Sequence, residues 1–136
     1  MKAVISIGNP IKSDDNIGNI VLERIDVDAI KIRGETAPEN FVEKVKGCDD
    51  IIIIDALQFG GEVGEIKTFD LDDVEDRLVS THSIPIVMFK KFFPDSKITI
   101  IGIQPENIEF GDDLSKRLKE MVDDITKEVE NIINSL

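Results

Sequence analysis

Two aspartates, Asp14 and Asp15, stand side by side where an apolar run gives way to a helical pattern. Neighbouring carboxylates repel each other, and an acid that leaves water needs a partner. A further acid, Asp55, closes the isoleucine-rich segment "DIIIIDA" (50–56), and the only histidine, His82, stands in the polar stretch "VSTHSIP" (79–85). Two carboxylates and one imidazole make a ligand set for a divalent metal such as nickel, zinc or iron, with positions left open for water or substrate. Each residue also has a plain structural reading. Acids favour the positive end of a helix, a strand-ending Asp caps turns, and a lone His is commonly structural or solvated. The helix-start role suits Asp14, which leaves Asp15 as the acid that reaches into a cleft.

Other chemistries find less support. There is no convincing Ser–His–Asp or Cys–His pairing, which argues against a covalent nucleophile. Cys48 is the only cysteine and precedes a buried strand, so it reads as structural. One cysteine allows neither an intramolecular disulfide nor a cysteine metal cluster, and it fits a cytoplasmic location. Gly8 and Asn9 match neither a P-loop nor a dinucleotide fingerprint, and no organic cofactor is expected.

The elements that must position these residues follow from periodicity. "KAVISIG" (2–8), "DIIIIDA" (50–56) and "KITIIGI" (97–103) are near-continuous apolar runs, as expected of strands buried on both faces. "DAIKIR" (28–33) is a weaker strand, and "EIKTFD" (65–70) alternates as an edge strand would. Ser13 is a good N-cap for a helix carrying Ile17, Ile20, Val21 and Leu22. Thr36 and Glu39 have capping-box spacing ahead of Phe41, Val42 and Val45, with Gly47 as the stop. Shorter helices are predicted over 72–78 and 84–93. The last helix, about 115 to 135, repeats apolar residues at steps of three and four from Leu114 to Ile133. Strands alternating with helices point to a three-layer α/β/α sandwich with a mostly parallel sheet, in one domain spanning 1–136. In such sheets ligands gather at the carboxyl ends of the strands, where neighbouring crossovers leave on opposite faces. If the first and third strands are neighbours, Asp15 and Asp55 share one crevice.

The formal charge of −12, from 28 acids against 16 bases, argues against nucleic acid as a partner and against anionic membrane surfaces. No apolar run approaches a membrane span, since "IIIIDAL" meets an acid after four isoleucines. The segment "MKAVISIGNP" reads as a strand rather than a signal peptide.

Five motifs in order carry a resemblance: "IGNPIKSDDNIG" (7–18), "ETAPEN" (35–40), "IIIIDALQFGGEVGEI" (51–66), "STHSIPI" (80–86) and "IIGIQPENIEFGDDLS" (100–115). With these the chain resembles, nearly end to end, the hydrogenase maturation endopeptidases, which trim the large-subunit precursor of nickel–iron hydrogenases. "TAPEN", "THSIP" and "GIQP" look most like the branch serving hydrogen-evolving hydrogenases. The resemblance implies a five-stranded mixed sheet in the order 2-1-3-5-4 with strand 4 antiparallel. It carries the family's metal-contacting positions onto Asp15, Asp55 and His82, the same three residues reached from their chemistry. It also implies that the nickel comes with the precursor and serves as the signal for cutting off a C-terminal extension. The expected partner is that precursor, and the chain itself is expected to be a monomer. One departure is Asn16, where the family usually has glycine.

Two other readings compete. An acid pair after the first strand and an Asp ending the third also resemble a magnesium-binding receiver domain. That fold needs a lysine just after its last strand, and "GIQPE" has none. The alternative within the family is a metal-binding module or chaperone of hydrogenase assembly without peptidase activity.

Overall fold

A strand that is apolar at every position must feed two cores at once, because successive side chains leave opposite faces of a sheet. In the computed structural model, which describes residues 1–35, 42–71, 79–80 and 88–136, three central strands do this. They are β1 (Lys2–Ile7), β3 (Asp50–Gln58) and β6 (Lys97–Ile103). Ala3, Ile5, Ile51, Ile53, Leu57, Ile98 and Ile100 supply one core, while Val4, Ile52, Ile54, Ala56, Ile101 and Ile103 supply the other. The edges are β2 (Ile30–Glu35), parallel to β1, and β4 (Ile66–Asp70), antiparallel to β6. The order is β2-β1-β3-β6-β4, and a two-residue β5 (Val79–Ser80) pairs antiparallel with the end of β3. With β5 set aside, this is the expected 2-1-3-5-4 sheet with its fourth strand reversed.

Helices α1 (Ile17–Arg24) and α3 (Lys116–Ser135) cover one face. From α1 come Ile17, Val21 and Leu22, and from α3 Leu118, Val122, Ile125, Val129 and Ile133, the stripe that the periodicity predicts. The other face packs against Val45 and Cys48, and against Phe89 and Phe93 in and after α2 (Met88–Phe92). Cys48 is buried there, in keeping with a structural role. The predicted helix over 72–78, the capping residues Thr36 and Glu39, and residues 84–87 lie outside the described residues. Residues 42–47 form turns rather than a helix.

Ser13 is not an N-cap. It opens a 3-10 turn (Ser13–Asn16) with φ +48, and its hydroxyl donates to the Asp113 carbonyl at 2.8 Å. α1 starts four residues later, at Ile17, because residues 11–14 are hydrogen-bonded to a distant loop, as described below.

The β1–α1 connection is unusually tight. A Cβ on Gly18 would lie 2.7 Å from the Ile54 carbonyl oxygen and 3.1 Å from that of Ile7. One on Gly8 would lie 2.5 Å from the Asp15 carbonyl oxygen. Glycine at 18 lets the first turn of α1 rest on the backbones of β1 and β3. Gly18→Ala is therefore expected to lift α1 and cost about 1–2 kcal/mol, the overpacking penalty outweighing the better helix propensity of alanine. Urea unfolding at equilibrium measures this.

Candidate functional site

The crossover from β1 to β2 runs through α1 on one face, and the segment carrying Val45 returns to β3 on the other. The strand order therefore reverses between β1 and β3, the point at whose carboxyl end open α/β sheets place their ligand crevice. Asp15 stands in the 3-10 turn just beyond β1, 1% exposed, and its Oδ2 accepts the Asn9 N–H at 3.0 Å. Asp55 lies in the neighbouring strand and is fully buried. The two predicted acids thus stand toward the carboxyl ends of adjacent parallel strands, on either side of the reversal.

Asp55 does not close its strand. β3 runs on to Gln58, because β6 stays paired with it through Asp55↔Gly102 and Ala56↔Ile103 and β5 adds Leu57↔Ser80 and Gln58↔Val79. On the other side, pairing with β1 stops at Ser6↔Ile54, one residue before Asp55. β3 therefore overhangs β1, and Asp55 sits where the ladder opens. Directly across on β6 stands Gly102, which offers no side chain.

Asp14 is fully buried and has a different task from its neighbour. Its carboxylate accepts the N–H groups of Glu106 (2.9 Å), Asn107 (2.9 Å) and Ser115 (2.6 Å) and the Ser115 hydroxyl (2.8 Å). Ser115 is the N-cap residue of α3. An acid favours the positive end of a helix, as the residue type suggests. The helix it serves is α3, about a hundred residues away, and not α1. Around it, Ser13 N–H donates to Gly111 O, Gly111 N–H to Ile11 O, and Asp14 N–H to Asn107 O, each at 2.9 Å. The 9–16 and 106–115 segments are one hydrogen-bonded unit.

Two polar residues that sequence reasoning passed over complete the framework. Gln104, directly after β6, accepts the N–H groups of Phe59 and Gly61 on Oε1, and its Nε2 donates to the Gln58 side chain at 2.6 Å. It thereby ties the β3–β4 loop to the end of β6. Asn19 on α1 accepts the Ser6 hydroxyl at 2.7 Å and donates to Gly8 O and to Asn16 Oδ1. The available signals were a glutamine straight after an apolar strand, a serine inside one and an asparagine on the apolar stripe of a helix. Each is a polar residue in a position that burial predicts. Asn16 itself has φ −81, ordinary helical backbone, so this position needs no glycine, and its side chain holds Asn19 in place.

His82 lies outside the described residues. Ser80, two residues earlier in the chain, pairs with Leu57 beyond Asp55. Among the described residues, no three His, Cys, Asp or Glu side chains gather into a metal site, and no buried side-chain nitrogen or oxygen lacks a hydrogen-bond partner. A hollow lined by Val42, Cys48, Phe92 and Phe93 opens at the opposite end of the sheet, by the starts of β3 and β6, away from both acids.

Residues 14–132 match the family model described as hydrogenase maturation protease. The chain belongs to the hydrogenase maturation protease family. It is 30% identical to a candidate hydrogenase maturation protease of Methanocaldococcus jannaschii, over 90% of this chain and 88% of the relative. With the hydrogenase 3 maturation protease of Escherichia coli it shares 25% identity, over 93% and 87% of the two chains. The crystal structure of the nickel–iron hydrogenase maturation protease HycI of Thermococcus kodakarensis superposes with a TM-score of 0.81 at 27% identity, covering 98% of this chain and 92% of that one.

In this protease the described residues include no helix long and apolar enough to cross a membrane. The Asp14 clamp makes a direct prediction. Asp14→Ala strips the acceptor from four donors. It should lower the unfolding free energy by about 3 kcal/mol, since hydrogen bonds to a buried charge are the strong ones. Hydrogen exchange at the amides of Glu106, Asn107 and Ser115 should accelerate with it, which NMR would read residue by residue.

Proposed function

We propose that this chain is the endopeptidase that removes the C-terminal extension of a nickel–iron hydrogenase large-subunit precursor once nickel has been inserted. In this reading Asp15, Asp55 and His82 meet the precursor's own nickel and dock the cleavage site beside it. The observation that carries it is the pair of buried acids, Asp15 and Asp55, flanking the strand-order reversal in a member of a maturation protease family. Carboxylates and an imidazole suit a borderline divalent cation, and two or three such ligands leave room for those the precursor already supplies.

The nickel is part of the substrate here, so the enzyme needs no resident metal and no organic cofactor. A cation next to the scissile peptide polarises its carbonyl or acidifies a water, and a carboxylate can take the proton. Specificity then follows without a deep pocket. A precursor lacking nickel gives the two acids nothing to bind, so cutting waits for metal insertion. The setting in this reading is cytoplasmic and the enzyme a monomer, in keeping with a chain whose single cysteine is buried in the core.

The test is a mass-spectrometric cleavage assay on the large-subunit precursor from the same genome, nickel-loaded and nickel-free in parallel. Loss of a C-terminal peptide from the loaded form alone is the expected result. Cutting of both forms would keep the peptidase and remove the nickel checkpoint, and binding without cutting would favour the assembly chaperone. Asp15→Ala, Asp55→Ala and His82→Ala should each slow processing by about 10²-fold or more while the far-UV circular dichroism stays unchanged. Full activity in all three would overturn the site assignment.

A further inference from the structure

The loop that carries Asp15 also carries an apolar side chain that the fold does not use. Ile11 is 53% exposed, and Phe110, on the loop hydrogen-bonded to it, is 77% exposed. Gly111 N–H donates to Ile11 O at 2.9 Å, and a bridge joins Lys12 to Gly111, so the two side chains sit on one paired strip. The Lys12 ammonium lies 5.5 Å from the centre of the Phe110 ring. Exposed acids follow along the same strip, namely Glu106, Glu109, Asp112 and Asp113, of which Asp113 is paired with Lys119.

We propose that Ile11 and Phe110 form a docking lip for the body of the precursor, gripping an apolar hollow with a basic surround next to the cleavage site. The proposal rests on the reading of Asp15 as part of the cleavage site and deepens it.

Three observations favour this occupant. First, the lip is continuous with the site. Asn9, two residues before Ile11, donates its N–H to the Asp15 carboxylate, so Ile11 and Asp15 belong to one tied loop. Second, the lip is rigid before anything binds. The buried Asp14 carboxylate and the Ser13 and Gly111 amides hold both loops, so little ordering entropy remains to be lost on contact. Third, an apolar centre with a charged margin is the anatomy of a recognition patch, with aromatic residues as the usual anchors. The acidic margin sets the partner's sign and draws a basic surface toward the site.

The test compares the parent chain with Ile11→Ala/Phe110→Ala in steady-state cleavage of the nickel-loaded precursor, read by mass spectrometry. KM should rise about tenfold with kcat unchanged, since the lip binds ground state and transition state alike. Both side chains are exposed, so the urea midpoint should not move. Glu109→Lys, in the acidic margin beside Phe110, should also raise KM, most at low ionic strength. A double variant whose KM stays within twofold of the parent overturns the lip while leaving the peptidase reading intact. A parent chain that fails to cut the precursor overturns both. Sedimentation equilibrium adds a third arm. A parent dimer that the double variant dissolves, with KM unmoved, would assign the patch to a second copy of the chain and overturn the proposal.

Discussion

A carboxylate that leaves water must be met by donors, and at Asp14 they come from the far end of the chain. Glu106, Asn107 and Ser115 supply three N–H groups and a hydroxyl to a side chain that is fully buried. A buried charge with one partner removed is strongly destabilising, so this contact has to be complete to exist at all. Much of the upper rim hangs on it. It seats the start of α3, closes residues 106–115 against residues 9–16, and holds the 3-10 turn from which Asp15 projects. The neighbouring acids that open the question of this sequence therefore divide the work. Asp14 clamps the distant 106–115 segment, and Asp15 holds the Asn9 amide beyond the end of β1.

The crevice is a consequence of packing on both faces of the sheet. Alternation along β1, β3 and β6 fills two cores, and it leaves α1 on one face and the return to β3 on the other. Where the crossovers part, polar residues can enter at the carboxyl ends of the strands without disturbing a core. The longer reach of β3 past the end of β1 leaves Asp55 just beyond the ladder that joins the two strands. Gly18 makes the arrangement close enough to matter, since only a residue without Cβ lets α1 touch both strand backbones.

Rigidity near the site comes from buried amides rather than from helices. Gln104 holds the β3–β4 loop by two backbone donors, and Asn19 joins β1, the Gly8 turn and Asn16. Each network is saturated, as a low-dielectric interior demands. A protease gains from such stiffness, because loops held in advance lose little entropy when a substrate docks.

Periodicity alone sufficed for the strands expected at 2–8, 50–56, 65–70 and 97–103, to within a residue or two, and for the long final helix, since burial on one or both faces writes a period of two or 3.6 directly into the chain. The placement of Asp15 and Asp55 toward the carboxyl ends of two strands was equally legible, and β1 and β3 are the neighbours that this placement requires. Local pattern did not reveal that Ser13 would adopt a left-handed turn, that β3 would outrun Asp55, or that Asp14 would serve α3 rather than α1. Those outcomes depend on partners about twenty to a hundred residues distant, on β6, β5 and the 106–115 loop. A hydrogen bond across the fold leaves no period in the sequence. It exists only once tertiary packing has excluded the water that would otherwise satisfy the same groups.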